Sequence, residues 1–483
     1  MTTTNLATVH QRRALLAVCC TALMLATMDA TIVNIALPDI GSRLHAPLSG
    51  LQWTVDAYSL VLATLFVAAG SLGDRFGRRR IFRIGLTLFV LGSLLCSAAP
   101  GLGWLIGFRV VQAVGGSMLN PVAMSIVVNE FREPAERAKA IGVWGGVAGL
   151  SMALGPIVGG LLVSASGWRS IFWINVPIAL IALALTGRYV PESRAPHVRA
   201  LDPRGQVLVV LTLGAAVYAI IEAPRHGWGS PVTIGTLALA AVALLALLAA
   251  ESRRAEPLIE VRFFRSVPFS AATVTAVAAA GALSCFLFVN TLYLQLVLGC
   301  SPVEAGLRTL PMAAVAGLCA PFAGRLVAAR GARLPLVLSG CATAAGGALL
   351  ISLSAHTPWL LLSVAYALIG VGFGLVNPPI TNTATSGMPR AQAGVAAALT
   401  SASRQVGMSL GVAVSGPFLA GASAAQFSAA SRPVWLIVAG CGVCVTALGG
   451  LATSRQALAR AAVQRVRWDG QNAERELARS GQP

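Results

Sequence analysis

Asp29 stands in Met28-Asp29-Ala30-Thr31-Ile32-Val33-Asn34-Ile35-Ala36-Leu37-Pro38, inside an apolar run from about Ala14 to Leu37 that is long enough to cross a bilayer as one helix. A carboxylate at that depth costs roughly 2.5–3.5 kcal/mol even on an insertion scale. It therefore faces protein or water and handles an ion, a proton or a substrate, or it is held in a structural ion pair. At ~1.5 Å rise per residue it lies about 12 Å from Leu37, too deep to snorkel to a surface. Arg109, inside another apolar run, needs an anionic partner or carbonyls, and Asp29 is the natural candidate. If the two pair, protonation of Asp29 releases Arg109 and offers a switch between two arrangements. Asp56, in Trp53-Thr54-Val55-Asp56-Ala57-Tyr58, is a second acid about one turn into its helix. It reads as a port for protons, a cation-binding group or a solvated interfacial residue. Glu222, beside Pro224, reads as an interface residue before a site residue. Arg404 lies deep in an apolar run, and the last six such runs carry no acid away from their ends; a cross-bundle partner, helix carbonyls or an anionic substrate group would satisfy it.

The elements that position these groups are membrane helices. Of 483 residues, 56% are apolar and 11% charged, and the mean hydropathy is +0.77, against about 25% charged in a soluble domain. The first run is too long for a signal-peptide core and lacks a small-residue cleavage site, so it is expected to stay as a helix. Helices are expected near 14–37, 51–72, 81–99, 103–128, 138–163, 169–187, 206–222, 231–250, 268–292, 303–328, 333–353, 357–382, 393–420 and 433–452. Both termini of such a fourteen-helix chain lie on one side. Of its 35 basic residues, 28 fall on that side, five fall opposite, and Arg109 and Arg404 are inside helices. That asymmetry places both termini in the cytoplasm of a cytoplasmic (inner) membrane protein. The net charge of +18 is thus a topology signal with affinity for anionic headgroups, and nucleic acid is not an expected partner. The nine cysteines fall in or beside apolar segments and the five histidines in tails and loops, so neither a metal nor a cofactor is expected.

Two polar stretches, Arg188–Arg204 and Glu251–Arg265, divide the helices as six, two and six. The expected units are an N-terminal six-helix bundle (1–190), a linker with two additional helices (191–265), a C-terminal six-helix bundle (266–453) and a basic tail (454–483). The tail has spaced arginines among Leu, Val and Ala and reads as a surface-lying amphipathic helix. Two equivalent bundles are the usual scaffold for alternating access about a mid-membrane site.

Gly70-Ser71-Leu72-Gly73-Asp74-Arg75-Phe76-Gly77-Arg78-Arg79-Arg80 closes helix 2, with a fainter echo in Gly324–Arg333 at the end of helix 10. Asp74, Arg75, Arg78 and Arg79 can bond neighbouring helix ends and act as a cytoplasmic gate, or serve as a plain positive-inside anchor. In helix 5, Gly155-Pro156-Ile157-Val158-Gly159-Gly160 offers small residues for close packing and a proline for a bend. The first loop resembles the cytoplasmic signature of the major facilitator superfamily. Asp29–Pro38, Arg109-Val110-Val111-Gln112-Ala113-Val114-Gly115-Gly116, Gly155–Gly160 and Trp168–Pro177 resemble signatures of its fourteen-helix drug:proton antiporter branch. So do Tyr293-Leu294-Gln295, Ala305–Pro311 and Ser403-Arg404-Gln405-Val406-Gly407. Ala113 departs from the glycine of the pattern. The resemblance spans about residues 14–450. It implies an all-α major facilitator fold and proton-driven efflux of lipophilic, cationic drugs. Proton coupling would rest with Asp29, Asp56 and Arg109, a cytoplasmic gate with Gly73, Asp74, Arg75, Gly77, Arg78 and Arg79, and the antiporter motif with Gly155, Pro156, Gly159 and Gly160. Asn34, Tyr58, Gln112, Asn120, Asn290, Tyr293, Gln295, Asn377, Arg404 and Gln405 are candidates for the substrate cavity, or for hydrogen bonds between helices. Partners would be small-molecule substrates, protons and the bilayer, with a monomer assumed.

A membrane-embedded enzyme would need a clustered acid, base or metal set, and a sensor would need a signalling domain; neither is present in the sequence. The sequence contains no phosphate-binding loop of G-x-x-x-x-G-K-[ST] type, which leaves the proton gradient as the expected power source. A dedicated exporter of one metabolite or antibiotic fits the same features.

Overall fold

The structure, a computed structural model, describes residues 2–131, 133–195, 202–254, 260–386, 388–389, 392–465 and 468. Parts of the expected linker (196–201 and 255–259) and of the tail (466–467 and 469–483) lie outside the described residues. The helices are α1 (Thr2–Leu44), α2 (Leu48–Phe76), α3 (Arg78–Ser97), α4 (Leu102–Glu130), α5 (Pro134–Ser166), α6 (Ser170–Trp173), α7 (Asn175–Tyr189), α8 (Pro203–His226) and α9 (Pro231–Arg253). They continue as α10 (Val267–Leu292), α11 (Pro302–Arg308), α12 (Leu310–Arg330), α13 (Arg333–Leu350), α14 (Trp359–Ser386), α15 (Ala393–Leu419) and α16 (Ala424–Ala452). Two expected spans are broken, each at a proline. Pro177 cannot donate to the Trp173 carbonyl, which separates α6 from α7, and Pro311 cannot donate to Leu307, which separates α11 from α12. A π-helical turn, Tyr293–Val297, extends α10.

Among the described residues, thirteen helical stretches are long and apolar enough to span a bilayer. The 27-residue α15 makes the fourteenth expected span; Thr400, Ser401, Ser403, Arg404 and Gln405 lower its apolarity without shortening it. By parity, α1 begins and α16 ends at one end of the molecule; the opposite one is called the far end below. Residues 455–465 form a helix in which Ala457 and Ala461 are buried and Leu458 and Val463 exposed, the spacing of a surface-lying helix.

The two halves repeat one packing pattern. In the first, α1 packs on α4, α5 and α7, α3 packs on α4 and α7, and α2 packs on α4. In the second, α10 packs on α14, α15 and α16, α13 packs on α14 and α16, and α12 packs on α14. The bundles meet where α2 lies on α15 and α5 on α11 and α12. The inserted pair is held together at its near end, where the buried Asp202 caps α8 through the Gly205 N–H at 2.8 Å and pairs with Arg254. Burial pushes the Asp202 carboxyl up, but the Gly205 N–H and Arg254 outweigh it and hold it below its ordinary value.

Candidate functional site

The first site is a polar knot inside the N-terminal bundle. Arg109 of α4 and Asp29 of α1 are both wholly buried, and Arg109 Nη1 donates to Asp29 Oδ2 at 2.5 Å. Asp29 Oδ1 accepts from Gln112 Nε2 and Asn175 Nδ2, each at 2.9 Å. Gln112 also accepts from Arg109 at 2.8 Å and donates to Ser93 Oγ at 2.8 Å. Arg109 Nε donates to the Thr54 carbonyl at 3.2 Å, and its guanidinium lies 4.2 Å from the Tyr58 ring centroid. Five helices, α1, α2, α3, α4 and α7, are tied by one ion pair and its supports. Both oxygens of the Asp29 carboxyl are bonded and its countercharge is in contact, so the buried pair is compensated. Asp29, Arg109, Gln112 and Tyr58 stand out in the sequence, whereas Asn175 and Ser93 are marked only by an amide and a hydroxyl in otherwise apolar helices.

Asp56 is elsewhere. Residues two apart on a helix point about 200° apart, so with Tyr58 against Arg109, Asp56 points away from the knot. It shares its face with Trp53 and Leu60, which pack with Leu410 and Ala413 of α15 and Val217 and Ile221 of the inserted α8. Asp56 is wholly buried in this three-helix seam and faces the Ser409 hydroxyl; both carboxyl oxygens and Ser409 Oγ lack a hydrogen-bond partner. One turn toward the far end, Gln52 Nε2 donates to the carbonyls of Val412 at 2.7 Å and Ala413 at 3.0 Å. Pro417 explains why the Ala413 carbonyl is available: it has no N–H for the i−4 position. Gln52 rests so closely on Gly416 that a Cβ there would lie 1.9 Å from its side-chain oxygen. Above this, Trp53 Nε1 donates to Glu222 at 3.0 Å, and Arg225 pairs with Glu222 at 3.2 Å, so Glu222 joins the inserted α8 to α2.

The helix 5 glycines close the other seam at the same end. A Cβ on Gly155 would come within 2.0 Å of Thr31 Oγ1, and one on Gly159 within 2.7 Å of Ile32, both on α1. Gly160 and Gly306 lie across the bundle boundary, where a Cβ would approach the Pro302 and Pro156 carbonyls at 2.5 and 2.4 Å. Gln295 adds a bond from its Nε2 to the Ile35 carbonyl of α1 at 2.9 Å.

At the near end, the α2–α3 loop is clasped by the chain that follows α7. Arg78 pairs with Asp74 at 2.8 Å, the Arg78 N–H donates to Ser193 O, and the Ala195 N–H donates to Asp74 O. Arg79 reaches the Gly187 carbonyl at 2.8 Å, and its N–H donates to Glu192 at 3.1 Å. Gly77 turns the chain at φ +109°, a left-handed conformation in which a Cβ would also meet Glu192 at 2.6 Å. Gly73 lies against Val122, while Arg75 stays exposed beside Phe76. Asp74→Asn removes a charge-assisted bond without changing size, so normal membrane insertion with much reduced transport is expected. Transport by this variant at the wild-type rate, compared at equal expression, would leave the loop as a topology anchor alone.

The remaining candidates divide. Asn290 and Tyr293 are occupied inside the C-terminal bundle: Asn290 accepts from Tyr366, and Tyr293 donates to Ser354 O at 2.7 Å. Asn34 and Asn120 each keep a shielded side-chain oxygen without a partner, and Asn377 and Gln405 are half-buried. Arg404 donates to Ser401 Oγ at 2.7 Å while its Nη1 is shielded and unbonded.

A model of the Major Facilitator Superfamily matches residues 19–412. The Multidrug resistance protein Stp of Mycobacterium tuberculosis is 39% identical over 393 residues, 81% of this chain and 73% of that protein. The Tetracenomycin C resistance and export protein of Streptomyces glaucescens is 39% identical over 398 residues, covering 82% and 74%. Among solved structures, the inward-facing, unoccupied form of a bacterial homologue of the human lysosomal transporter Spinster aligns at a TM-score of 0.64. It covers 93% of this chain and 98% of its own at 18% identity, a likeness of fold. Fold, ordered motifs and relatives agree: the chain belongs to the major facilitator superfamily.

Proposed function

We propose that this protein exports lipophilic, mainly cationic compounds from the cytoplasm in exchange for protons, the two bundles rocking against each other about a site at mid-membrane. The observation that carries this reading is a pair of wholly buried carboxylates in the N-terminal bundle, one neutralised by Arg109 and one unpaired at the bundle boundary. Buried ionisable groups of this kind mark proton pathways in membrane proteins. The names of the relatives, which include multidrug resistance and single-antibiotic export proteins, support drug efflux. They also keep a dedicated exporter of one compound as the second reading, which the unneutralised Arg404, with no acid deep in the membrane helices of the second half, favours for a substrate with an anionic group.

In this reading the protein acts in the cytoplasmic membrane as a monomer with both termini inside, so that the far end faces outward. Residues 1–190 and 266–453 are the moving halves, 191–265 carry the inserted pair and 454–483 form the tail. The half-buried Asn377, Arg404 and Gln405, with Asn34 and Asn120, line the substrate path. Transport by everted vesicles tests the function: dyes and quaternary ammonium compounds accumulate under a proton gradient and cease to do so when a protonophore is added. Accumulation that ignores the protonophore contradicts it. A reporter fused after Pro483 should read cytoplasmic and one placed in the His226 loop external; the opposite pattern would invert the topology.

A further inference from the structure

The inserted pair, α8 and α9, treats the two bundles unequally. α8 lies against both α2 and α15. Its tie to α2 is polar and made at two heights. Near the start of α8, Gln206 Nε2 donates to the Thr64 carbonyl at 2.8 Å, and near its other end Glu222 accepts from Trp53 Nε1 at 3.0 Å. Trp53 and Thr64 stand about 16 Å apart along α2 at ~1.5 Å rise per residue, so the strap spans about half of a roughly 30 Å apolar core. Tyr218 adds a tilted ring contact to Trp53, with 6.1 Å between centroids. The contact with α15 is of another kind. Val217 and Ile221 of α8 share an apolar cluster with Leu410 and Ala413 of α15, and among the described residues no side-chain hydrogen bond or ion pair crosses between these two helices. The pair itself is closed at both ends. At the near end Asp202 caps α8 and pairs with Arg254, and Gly205 packs so closely that a Cβ would stand 2.5 Å from Asp202 and 2.6 Å from Glu251 of α9. At the far end Thr233 Oγ1 of α9 donates to the Gly227 carbonyl at 2.9 Å. α9 therefore follows α8; it also touches the turn Val261–Arg265, where the chain passes into α10.

The two kinds of contact respond differently to shear. In hydrocarbon, a hydrogen bond that is pulled apart strands its donor and acceptor with no water to replace the partner. Apolar side chains that slip past one another exchange one apolar neighbour for another, lipid included, and lose little. We infer that the inserted pair is carried by the N-terminal bundle and slides over α15 when the bundles rock, screening the lipid side of the α2–α15 seam in both arrangements. A pair bonded equally to α2 and α15 would instead clamp the far end shut. The one-sided strap, Trp53 and Thr64 on α2 with Glu222 and Gln206 on α8, is what lets an added helix cover a moving seam without locking it. The assignment rests on the rocking of the bundles proposed above.

Cross-linking tests it, since the nine cysteines of the chain lie outside α2, α8 and α15. Val217→Cys on α8 is combined either with Leu60→Cys on α2 or with Leu410→Cys on α15, three positions of one apolar cluster. Each double variant is treated with a short bis-methanethiosulfonate, which dithiothreitol reverses, and linking is followed as loss of maleimide-reactive thiol. The single variants, treated alike, report any effect through the native thiols. Proton-driven uptake of ethidium by everted vesicles is expected to stay within twofold of the untreated rate when α8 is linked to α2. It is expected to fall at least tenfold when α8 is linked to α15, and to recover on reduction. A link to α2 that stops uptake, or a link to α15 that leaves it running, overturns the assignment while export stands. Absence of proton-driven uptake before any linking removes the export reading and the assignment with it, so the two failures separate at the first step of the assay.

Discussion

Arg109→Ala is expected to destabilise this protein more than any other single substitution in the polar knot. Removing one partner of a buried ion pair leaves an uncompensated charge, at a cost of about 3–5 kcal/mol. Here the loss is compounded, because Arg109 also serves the Thr54 carbonyl, Gln112 and the Tyr58 ring, so α1, α2 and α4 lose a common tie. Thermal unfolding in detergent, followed by size-exclusion chromatography, should show a lower midpoint and less monodisperse protein for Arg109→Ala than for Asp29→Asn. The asparagine variant keeps an acceptor for Gln112 or Asn175 and leaves Arg109 with its other partners. Asp29→Asn combined with Arg109→Met should recover part of the loss, since neither charge is then stranded. Arg109→Ala that unfolds at the wild-type temperature would show the pair to be dispensable for folding.

Gly160→Leu is expected to abolish transport while leaving the protein folded. A single Cβ at this position would stand 2.5 Å from the Pro302 carbonyl, a backbone atom that cannot swing aside as a side chain does. Overpacking typically costs about 1–3 kcal/mol, and since about 1.4 kcal/mol is tenfold in an equilibrium, closure of this seam becomes roughly ten- to a hundredfold less favourable. The cost falls on the closed far end alone, so the alternative arrangement gains population. Initial rates in everted vesicles should fall at least tenfold for Gly160→Leu and less for Gly160→Ala, with expression unchanged in both. Gly306→Leu, on the facing helix, should behave alike because its Cβ would meet the Pro156 carbonyl. Wild-type rates for Gly160→Leu would mean that α5 and α11 do not separate and meet during transport.

Much of this arrangement could be read from residue types alone, because a bilayer punishes misplaced charge. Two opposite charges in apolar runs, Asp29 and Arg109, had to find each other, and they do. Arg188–Arg204 and Glu251–Arg265 suggest a six, two and six plan, and the helix contacts within α1–α7 recur within α10–α16. The pair Gly407 and Gly411 on α15, each within 2.4 Å of an α10 carbonyl through its Cβ, even mirrors Gly155 and Gly159 against α1. The surroundings of Asp56 were not legible. Its position near a helix end is equally that of a solvated interfacial acid, and only the placement of α8 and α15, both remote in sequence, buries it. Gln52 escaped notice for the same reason: its partner exists because Pro417 frees a carbonyl 361 residues later. Asn290 and Tyr293 show the converse, since polar groups in apolar helices signal a hydrogen bond without saying whether a substrate or a neighbouring helix provides it.

Exchange of a proton for a drug is measured most directly as the effect of substrate on a pH gradient. In everted vesicles energised by respiration and followed with a pH-sensitive dye, adding a quaternary ammonium substrate should at once dissipate part of the gradient in vesicles carrying the wild-type protein. It should do so no more than background in vesicles carrying Asp56→Asn. Substrate accumulation without any change in the gradient would contradict the exchange itself.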